Sequence, residues 1–355
     1  MVRLRERNEV TVRAMQLTTF GDPPTFELRE LPSRRPAAGE VVVQLRAASL
    51  NRRDPWVWRT PDYCALPVTL GSDGAGVVVE VGDGVVRPRI GDEVVIYPTI
   101  GWPEGAEIPG EDFDILGAPT DGTFAELVTV AATCVRPRPQ RLSWEECGAL
   151  PLAGLTAYRA LFTCGRVRSG MKVLVTGAGS GVATFLVQLA SAAGAEVAVT
   201  TGSPAKAARS LELGAAAAVL YTDDDWPGKV ADAVGVLDVV VDSFGGRSFP
   251  GALPLLRRGG TFVCFGDTGG ASTTFDVAEI YWQWRSIVGT SMGSPEEFGA
   301  LLSAVERSAW HPVVDSVFAL EELPAAAKRL ESPDRYGKVV LRISSPTVGE
   351  PSPPV

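Results

Sequence analysis

Residues 40–50, EVVVQLRAASL, form a short valine-rich run, and 74–82, GAGVVVEVG, and 92–97, DEVVIY, repeat the pattern with glycine and proline between the runs. β-Branched runs of this length between turn residues predict strands. GTFAELVTV, at 122–130, returns to the same pattern, so residues 14–137 read as one β-rich unit. Between Pro98 and Thr120 the chain is rich in glycine and proline and has no period, which predicts a long loop or lobe.

From about Ser143 the period changes. SWEECGALPLAGLTAYRALF reads as helical, with Ser143 at the N-cap and Glu146 three residues on, the spacing of a capping box. Strands and helices then alternate: strand 173–176, helix 182–193, strand 195–200, helix 204–213, and strands 217–220, 236–242 and 260–265. Such alternation predicts an α/β unit with a parallel, doubly wound sheet. After Val317 one further helix and one strand are expected to rejoin the first unit. The predicted organisation is a β-rich domain of 14–137 and 316–345, an α/β domain of 138–315, and flexible tails at 1–13 and 346–355.

Composition narrows the function. The 355 residues are 45% hydrophobic and 21% charged, an ordinary globular balance. A net charge of -9 without a basic stripe argues against nucleic acid or an anionic membrane as partner. No apolar run approaches the length of a membrane span. The N-terminus mixes arginine with Glu6 and Glu9 and is not expected to be a secretory signal. Five cysteines, at 64, 134, 147, 164 and 264, include no close pair, which suits free thiols in a reducing cytoplasm and poorly suits a structural zinc site. His311 is the only histidine, so a histidine dyad or a multi-histidine metal site within one chain is excluded. Ahead of Pro312, it reads as a surface loop residue.

KVLVTGAGSGVATFLVQLA, at 172–190, runs from strand through a glycine turn into helix. This is the dinucleotide fingerprint, in which small residues let the backbone approach a pyrophosphate at a helix N-terminus. Gly177 and Gly179 fit the strict spacing, but Val182 takes the third glycine's place; a shifted form uses Gly177, Gly181 and Ala183, with Ser180 in the turn. The next strand ends in Thr200, Thr201 and Gly202, with no carboxylate to repel a 2′-phosphate. Ser203 caps the following helix, with Pro204 at its first position, and Lys206 and Arg209 lie in its first turns. A hydroxyl, free N–H groups and two cations suit NADP(H) over NAD. The alternative is that both cations sit on a solvated helix face.

NRRD (51–54), LGSDGAGVVVEVG (70–82), GDEVV (91–95), GTFAE (122–126), LPLAGLTAYRAL (150–161), VTGAGSGVA (175–183) and YGKVVL (336–341) occur in order. With these motifs the chain resembles the medium-chain dehydrogenase/reductase superfamily, near its quinone oxidoreductase and enoyl reductase branch, over nearly all of 14–343. The resemblance implies a GroES-like substrate domain, a Rossmann domain and an active site in the cleft between them. Zinc-dependent members carry metal ligands at positions that match Asn51, Ser72 and Leu152 here, and four cysteines in a lobe that matches 98–120; this chain has none of them. A metal-free enzyme is therefore expected. Without a Lewis acid the acceptor must already be electrophilic. The expected reaction is hydride transfer from NADPH to a quinone or to the β-carbon of a small hydrophobic conjugated carbonyl. A zinc-free ketone reductase or alcohol dehydrogenase of a biosynthetic pathway, and a non-catalytic NADPH-binding protein, stay open.

The resemblance also implies roles. Asn51 is expected to hydrogen-bond the nicotinamide ribose or a substrate oxygen, with Asp54 stabilising the turn. Arg52 either stabilises an enolate or is a surface arginine, and Tyr63 is the candidate proton donor. Trp56 is expected to line the pocket, while Trp58 is expected to pack. Thr156 lies near the nicotinamide or bonds within its own helix. Tyr221, the strand-end residues Ser243, Phe244, Phe265 and Gly266, and Ser291 and Met292 of GTSMGS complete the expected cofactor set. Lys338 either reaches the cofactor cleft or is an exposed structural lysine. IYWQWR, at 280–285, reads as a helix face at a domain or subunit contact, and a homodimer is expected.

Overall fold

The structure, a computed structural model, describes residues 11–343. The valine-rich strand Glu40–Ser49 is the spine of a seven-stranded sheet, because its inward valines and Leu45 have nowhere else to go. It pairs antiparallel with Asp73–Val81, setting Ser49 opposite Asp73. The two backbones approach so closely at Gly76 that a Cβ there would lie 2.1 Å from the Gln44 carbonyl oxygen. On its other side Glu40–Ser49 takes the late strand Lys338–Arg342, which runs parallel to Val314–Ala319. The end of the chain thus rejoins the first sheet. Trp58, Phe124, Leu45 and Ile96 fill the core beneath.

Three expectations change here. Residues 11–13 are not tail: strand Thr11–Thr19 starts there and pairs with Thr25–Pro32, and the Arg13 backbone N–H and Nε both donate to Glu126. The rest of the expected tails, 1–10 and 346–355, lies outside the described residues. The boundary at 315/316 falls inside strand Val314–Ala319, whose Asp315 accepts bonds from Arg329 and the Tyr336 N–H. Four helices are absent from the sequence reading: Arg53–Trp58, Trp226–Val234 and Phe249–Ala252, each short and containing a proline, and Pro295–Glu306, which carries its own capping box of Ser294 and Glu297.

The second sheet has six parallel strands in the order 217–220, 196–201, 172–175, 237–242, 256–264 and 286–289. The order reverses between 172–175 and 237–242. Ligands of such sheets bind beyond the strand C-termini at that switch point. Helix Gly181–Ala192 packs its buried Phe185, Leu186 and Leu189 against the sheet. The helical run from Ser143 divides. The capping box closes as read, with Ser143 Oγ accepting the Glu146 N–H at 3.2 Å, and helix Trp144–Ala149 stops before Pro151, which opens the helix Pro151–Tyr158.

Segment 98–120 holds a two-residue hairpin, Thr99–Ile100 with Asp114–Ile115, and is docked on the α/β domain. The Arg159 guanidinium lies 4.7 Å from the Trp102 ring, donates to the Glu107 carbonyl at 2.6 Å and pairs with Glu297 at 2.9 Å. The Tyr97 hydroxyl donates to the Gly293 carbonyl at 2.8 Å, a second tie between domains.

Candidate functional site

A cleft of about 860 Å³ separates the two sheets. The cofactor and catalytic residues singled out in the sequence line it, with the exceptions of Gly179, Ala183 and Arg209. Gly179 turns away: its φ is +103°, a Cβ would meet Lys206 Cδ at 2.8 Å, and its carbonyl accepts the Gly337 N–H at 3.0 Å. It shapes the turn and ties down the C-terminal strand instead of facing the cleft.

The nucleotide half follows from local backbone chemistry. Gly177 has φ +68°, so the chain reverses after the first strand. Ser180 is extended, and its Oγ accepts the Ala183 N–H at 3.1 Å, which aims the start of helix Gly181–Ala192 at the cleft. The first N–H groups of a helix have no partner within it and carry a partial positive charge. Together, the small turn and the helix start fit a dinucleotide pyrophosphate. At Gly181 a Cβ would lie 2.6 Å from Lys338 Cδ, so glycine is needed there to seat that lysine.

At the edge of this half, Ser203 Oγ accepts the Lys206 N–H, as a cap should. Lys206 lines the cleft; burial and then the neighbouring Arg335 guanidinium push its ammonium below the usual range. Arg209 does not join it: one turn further along the helix, its guanidinium lies over the Tyr336 ring, 4.1 Å from its centroid. Arg335, missed in the sequence, takes its place. Only 6% exposed, it is held by the Leu330 and Gly337 carbonyls at 2.8 and 2.6 Å. Burial and then Arg52 push it down to about 10. The adjacent carboxylates Asp315 and Asp334 are both taken by Arg329. Nearby, Tyr221 and Phe244 stack at 5.7 Å.

The other half holds a buried polar network. Asp73, also missed in the sequence, accepts Ser49 Oγ at 2.7 Å, Asn51 Nδ2 at 2.8 Å and Lys338 Nζ at 3.0 Å on one oxygen, and the Leu152 N–H at 2.7 Å on the other. Lys338 is 3% exposed, so the exposed-lysine alternative falls; its ammonium also donates to the Leu50 carbonyl at 2.8 Å and Asn51 Oδ1 at 2.5 Å. Asp54 Oδ2 accepts the Asn51 N–H at 2.7 Å, and complete burial pushes this carboxyl up to about 6.

Of the three positions matched to metal ligands, Asn51 is tied into this network, Ser72 Oγ turns to the Leu116 carbonyl at 2.7 Å, and Leu152 offers only its backbone. Among the described residues, no three His, Cys, Asp or Glu side chains gather as a ligand set. An amide, an averted hydroxyl and an alkyl chain do not fit zinc, which takes thiolate, imidazole or carboxylate.

Arg52 is exposed and sits by the nucleotide cations, so the arginine on the acceptor side is Arg53. Arg53 donates to the Tyr63 hydroxyl at 3.3 Å and the Ile115 carbonyl at 3.2 Å. Tyr63 packs edge-on to Trp56, with ring centroids 4.7 Å apart. Trp58 is buried against Phe26, away from the cleft. Thr156 Oγ1 donates to the Leu152 carbonyl at 2.8 Å, so its hydroxyl is engaged within the helix. His311 is exposed, 2.7 Å from Glu146. IYWQWR is no domain contact: Tyr281, Trp282 and Trp284 face outward, Trp282 being 63% exposed.

Known proteins align with this architecture over nearly its whole length. A family model described as the alcohol dehydrogenase GroES-like domain matches residues 37–140, and one described as zinc-binding dehydrogenase matches 181–307. A zinc-type alcohol dehydrogenase-like protein of Schizosaccharomyces pombe is 35% identical, covering 86% of this chain and 91% of its own. A quinone oxidoreductase of Rattus norvegicus is 29% identical, covering 93% and 97%. A solved structure of an NAD-dependent alcohol dehydrogenase superposes with a TM-score of 0.88 at 37% identity, covering 94% of this chain and all of that one. The paired sheets, the glycine turn at their junction and these relatives lead to one assignment: the chain belongs to the medium-chain dehydrogenase/reductase superfamily, in the neighbourhood of its quinone oxidoreductase and enoyl reductase-like branch.

Proposed function

We propose that this oxidoreductase uses NADPH to reduce a quinone or an α,β-unsaturated carbonyl without a metal ion. One observation carries the reaction class: the positions that would ligate zinc hold a neutral amide, an averted hydroxyl and an alkyl side chain, packed around a lysine–carboxylate pair. A bound reduced nicotinamide supplies a hydride. A conjugated acceptor takes it at the β-carbon, its C=C pair becomes the double bond between the α-carbon and the carbonyl carbon, the C=O pair moves to the oxygen as an enolate, and a proton from solvent at the α-carbon completes the product. A quinone takes it in the same sense and leaves as a hydroquinone. Cleft N–H donors hold the oxygen as charge builds on it. Trp56, Tyr63 and Ile115 give the acceptor side an apolar wall. Lys206 and Arg335, with no acid at the end of strand Glu196–Thr201, support the 2′-phosphate and hence NADPH.

The test is consumption of NADPH with small quinones and enones. Turnover restricted to saturated ketones or alcohols would overturn the acceptor class. Tight nucleotide binding without turnover on a broad panel would make the protein a nucleotide-binding module, and turnover lost on removing stoichiometric zinc would overturn the metal-free chemistry.

The assembly proposed is a homodimer through the edge strand Ser286–Gly289, beside the outward Tyr281 and Trp282. Five free cysteines support a reducing cytoplasm. Among the described residues no helix is long and apolar enough to cross a membrane. The net charge of -9 weighs against a nucleic-acid partner.

A further inference from the structure

A primary amide is ambiguous by itself, because either edge can face a ligand. At Asn51 the surroundings remove the ambiguity. Lys338 has only donors, and Asn51 Oδ1 accepts one at 2.5 Å. The Asp73 carboxylate has only acceptors, and Asn51 Nδ2 donates to it at 2.8 Å. Turning the amide over would break both bonds and set N–H against ammonium and oxygen against carboxylate. The three Lys338 protons go to Leu50, Asn51 and Asp73, and Asp73 is further pinned by Ser49 and Leu152. The Asn51 backbone is fixed in turn by Asp54. Nδ2 has one more N–H, which has no partner among the described residues, and Asn51 lines the cleft.

We propose that Asp73 and Lys338 are positioning residues that lock the Asn51 carboxamide with its nitrogen toward the acceptor, making Asn51 an obligate hydrogen-bond donor to the oxyanion formed there. The ammonium on Oδ1 draws density through the amide and strengthens the free N–H as a donor, since hydrogen bonds in a chain polarise one another. A fixed cation thus acts through one amide where metal-dependent relatives place the metal itself. The assignment of the oxyanion rests on the reductase reading above; the orientation of the amide does not.

The experiment uses 4-nitrophenol, whose ionised form mimics an enolate or hydroquinone oxyanion, titrated into the protein with oxidised NADP and read by the phenolate absorbance. In the unaltered protein the bound probe should ionise more readily than the free one, by about tenfold in the ratio of ionised to neutral form, the worth of one good donor. Asn51→Ala and Lys338→Met should each abolish that preference, and Asn51→Ala/Lys338→Met should lose no more than Asn51→Ala alone, because Lys338 acts only through the amide. Lys338→Met strands a buried carboxylate and is at risk of misfolding; Asp73→Asn/Lys338→Met removes both charges together and should give the same loss. With an enone, kcat should fall on the order of 10²-fold in the single variants. Losses that add in the double variant, or a probe preference untouched by Lys338→Met, overturn the proposal. Should no conjugated acceptor turn over while the probe series behaves as stated, the reductase reading fails and the locked amide stands.

Discussion

Lys206→Ala is the sharpest test of nucleotide choice. The side chain lies along the cleft edge beside Ser203, partly withdrawn from water, with Arg335 as its nearest cation. A charge-assisted bond from such an ammonium to a 2′-phosphate contributes about 1.5–3 kcal/mol. The carboxylates Asp315 and Asp334 sit close and offset part of the field, although Arg329 already pairs with both. The lower half of the range therefore applies, which is a roughly 10- to 45-fold weaker Kd for NADPH. NADH has no phosphate at that place, so its Kd should move less than about twofold. Quenching of protein fluorescence by each nucleotide gives both constants without turnover. Raising the salt should shrink the NADPH effect and leave NADH alone. Ser203→Asp is the converse change: it keeps an acceptor at the helix cap but adds charge against the phosphate, and should reverse the preference. An NADPH-to-NADH affinity ratio unchanged in Lys206→Ala would refute the reasoning, and the cations would then be a solvated face.

Three further outcomes follow from the packing. Asp54 is raised to about 6 by burial, so between about pH 4 and 6 the folded protein binds more protons than the unfolded chain, and stability falls as pH rises through that window. The loss is about 2–3 kcal/mol and Asp54→Asn removes its pH dependence; urea melts of both proteins from pH 4 to 7 show it as a flattened slope. Arg159→Met takes the arginine from a half-buried Glu297 that keeps the Thr163 hydroxyl and the Ser294 N–H, and frees Trp102, so it should destabilise by about 1.5–3 kcal/mol and make 98–120 a site of limited proteolysis. Gly181→Ala drives a Cβ to 2.6 Å from the middle of the Lys338 chain, whose ammonium is held at three points, so it should lower both nucleotide affinity and kcat, each measurable by titration and steady-state kinetics.

What could be read in the sequence was what local bonds determine. The Ser143 capping box and the Ser180 and Ser203 caps are made within three or four residues, so spacing alone exposes them. The valine-rich strands declare themselves because both faces are buried. Asp73 and Arg335 escaped because their meaning comes from afar: Lys338 lies 265 residues from Asp73, and Leu152 lies 79 away. The one signal for Asp73 was a lone acid among small residues in LGSDGAG. Arg52 and Arg53 were exchanged for a reason of phase. A short helix starts at Arg53, and one residue's rotation decides which guanidinium faces the Tyr63 wall. Arg209 escaped for the same reason as Asp73: its partner, the Tyr336 ring, comes from the far end of the chain.

The stretch from Arg335 to Lys338 ties into the phosphate edge, the glycine turn and the Asn51 amide within four residues: Arg335 beside Lys206, Tyr336 to Ser210, Gly337 to Gly179 and Lys338 to Asn51. In chain order it follows all but the last described strand. During synthesis the nucleotide turn is therefore made more than a hundred residues before the parts that finish it, and the nascent polypeptide carries a complete-looking Rossmann sheet with an open, unselective mouth. A chain cut short ahead of Arg335 would lose the strand that joins Glu40–Ser49 to Val314–Ala319 and, on the reading proposed above, the residues that choose the nucleotide and orient the amide.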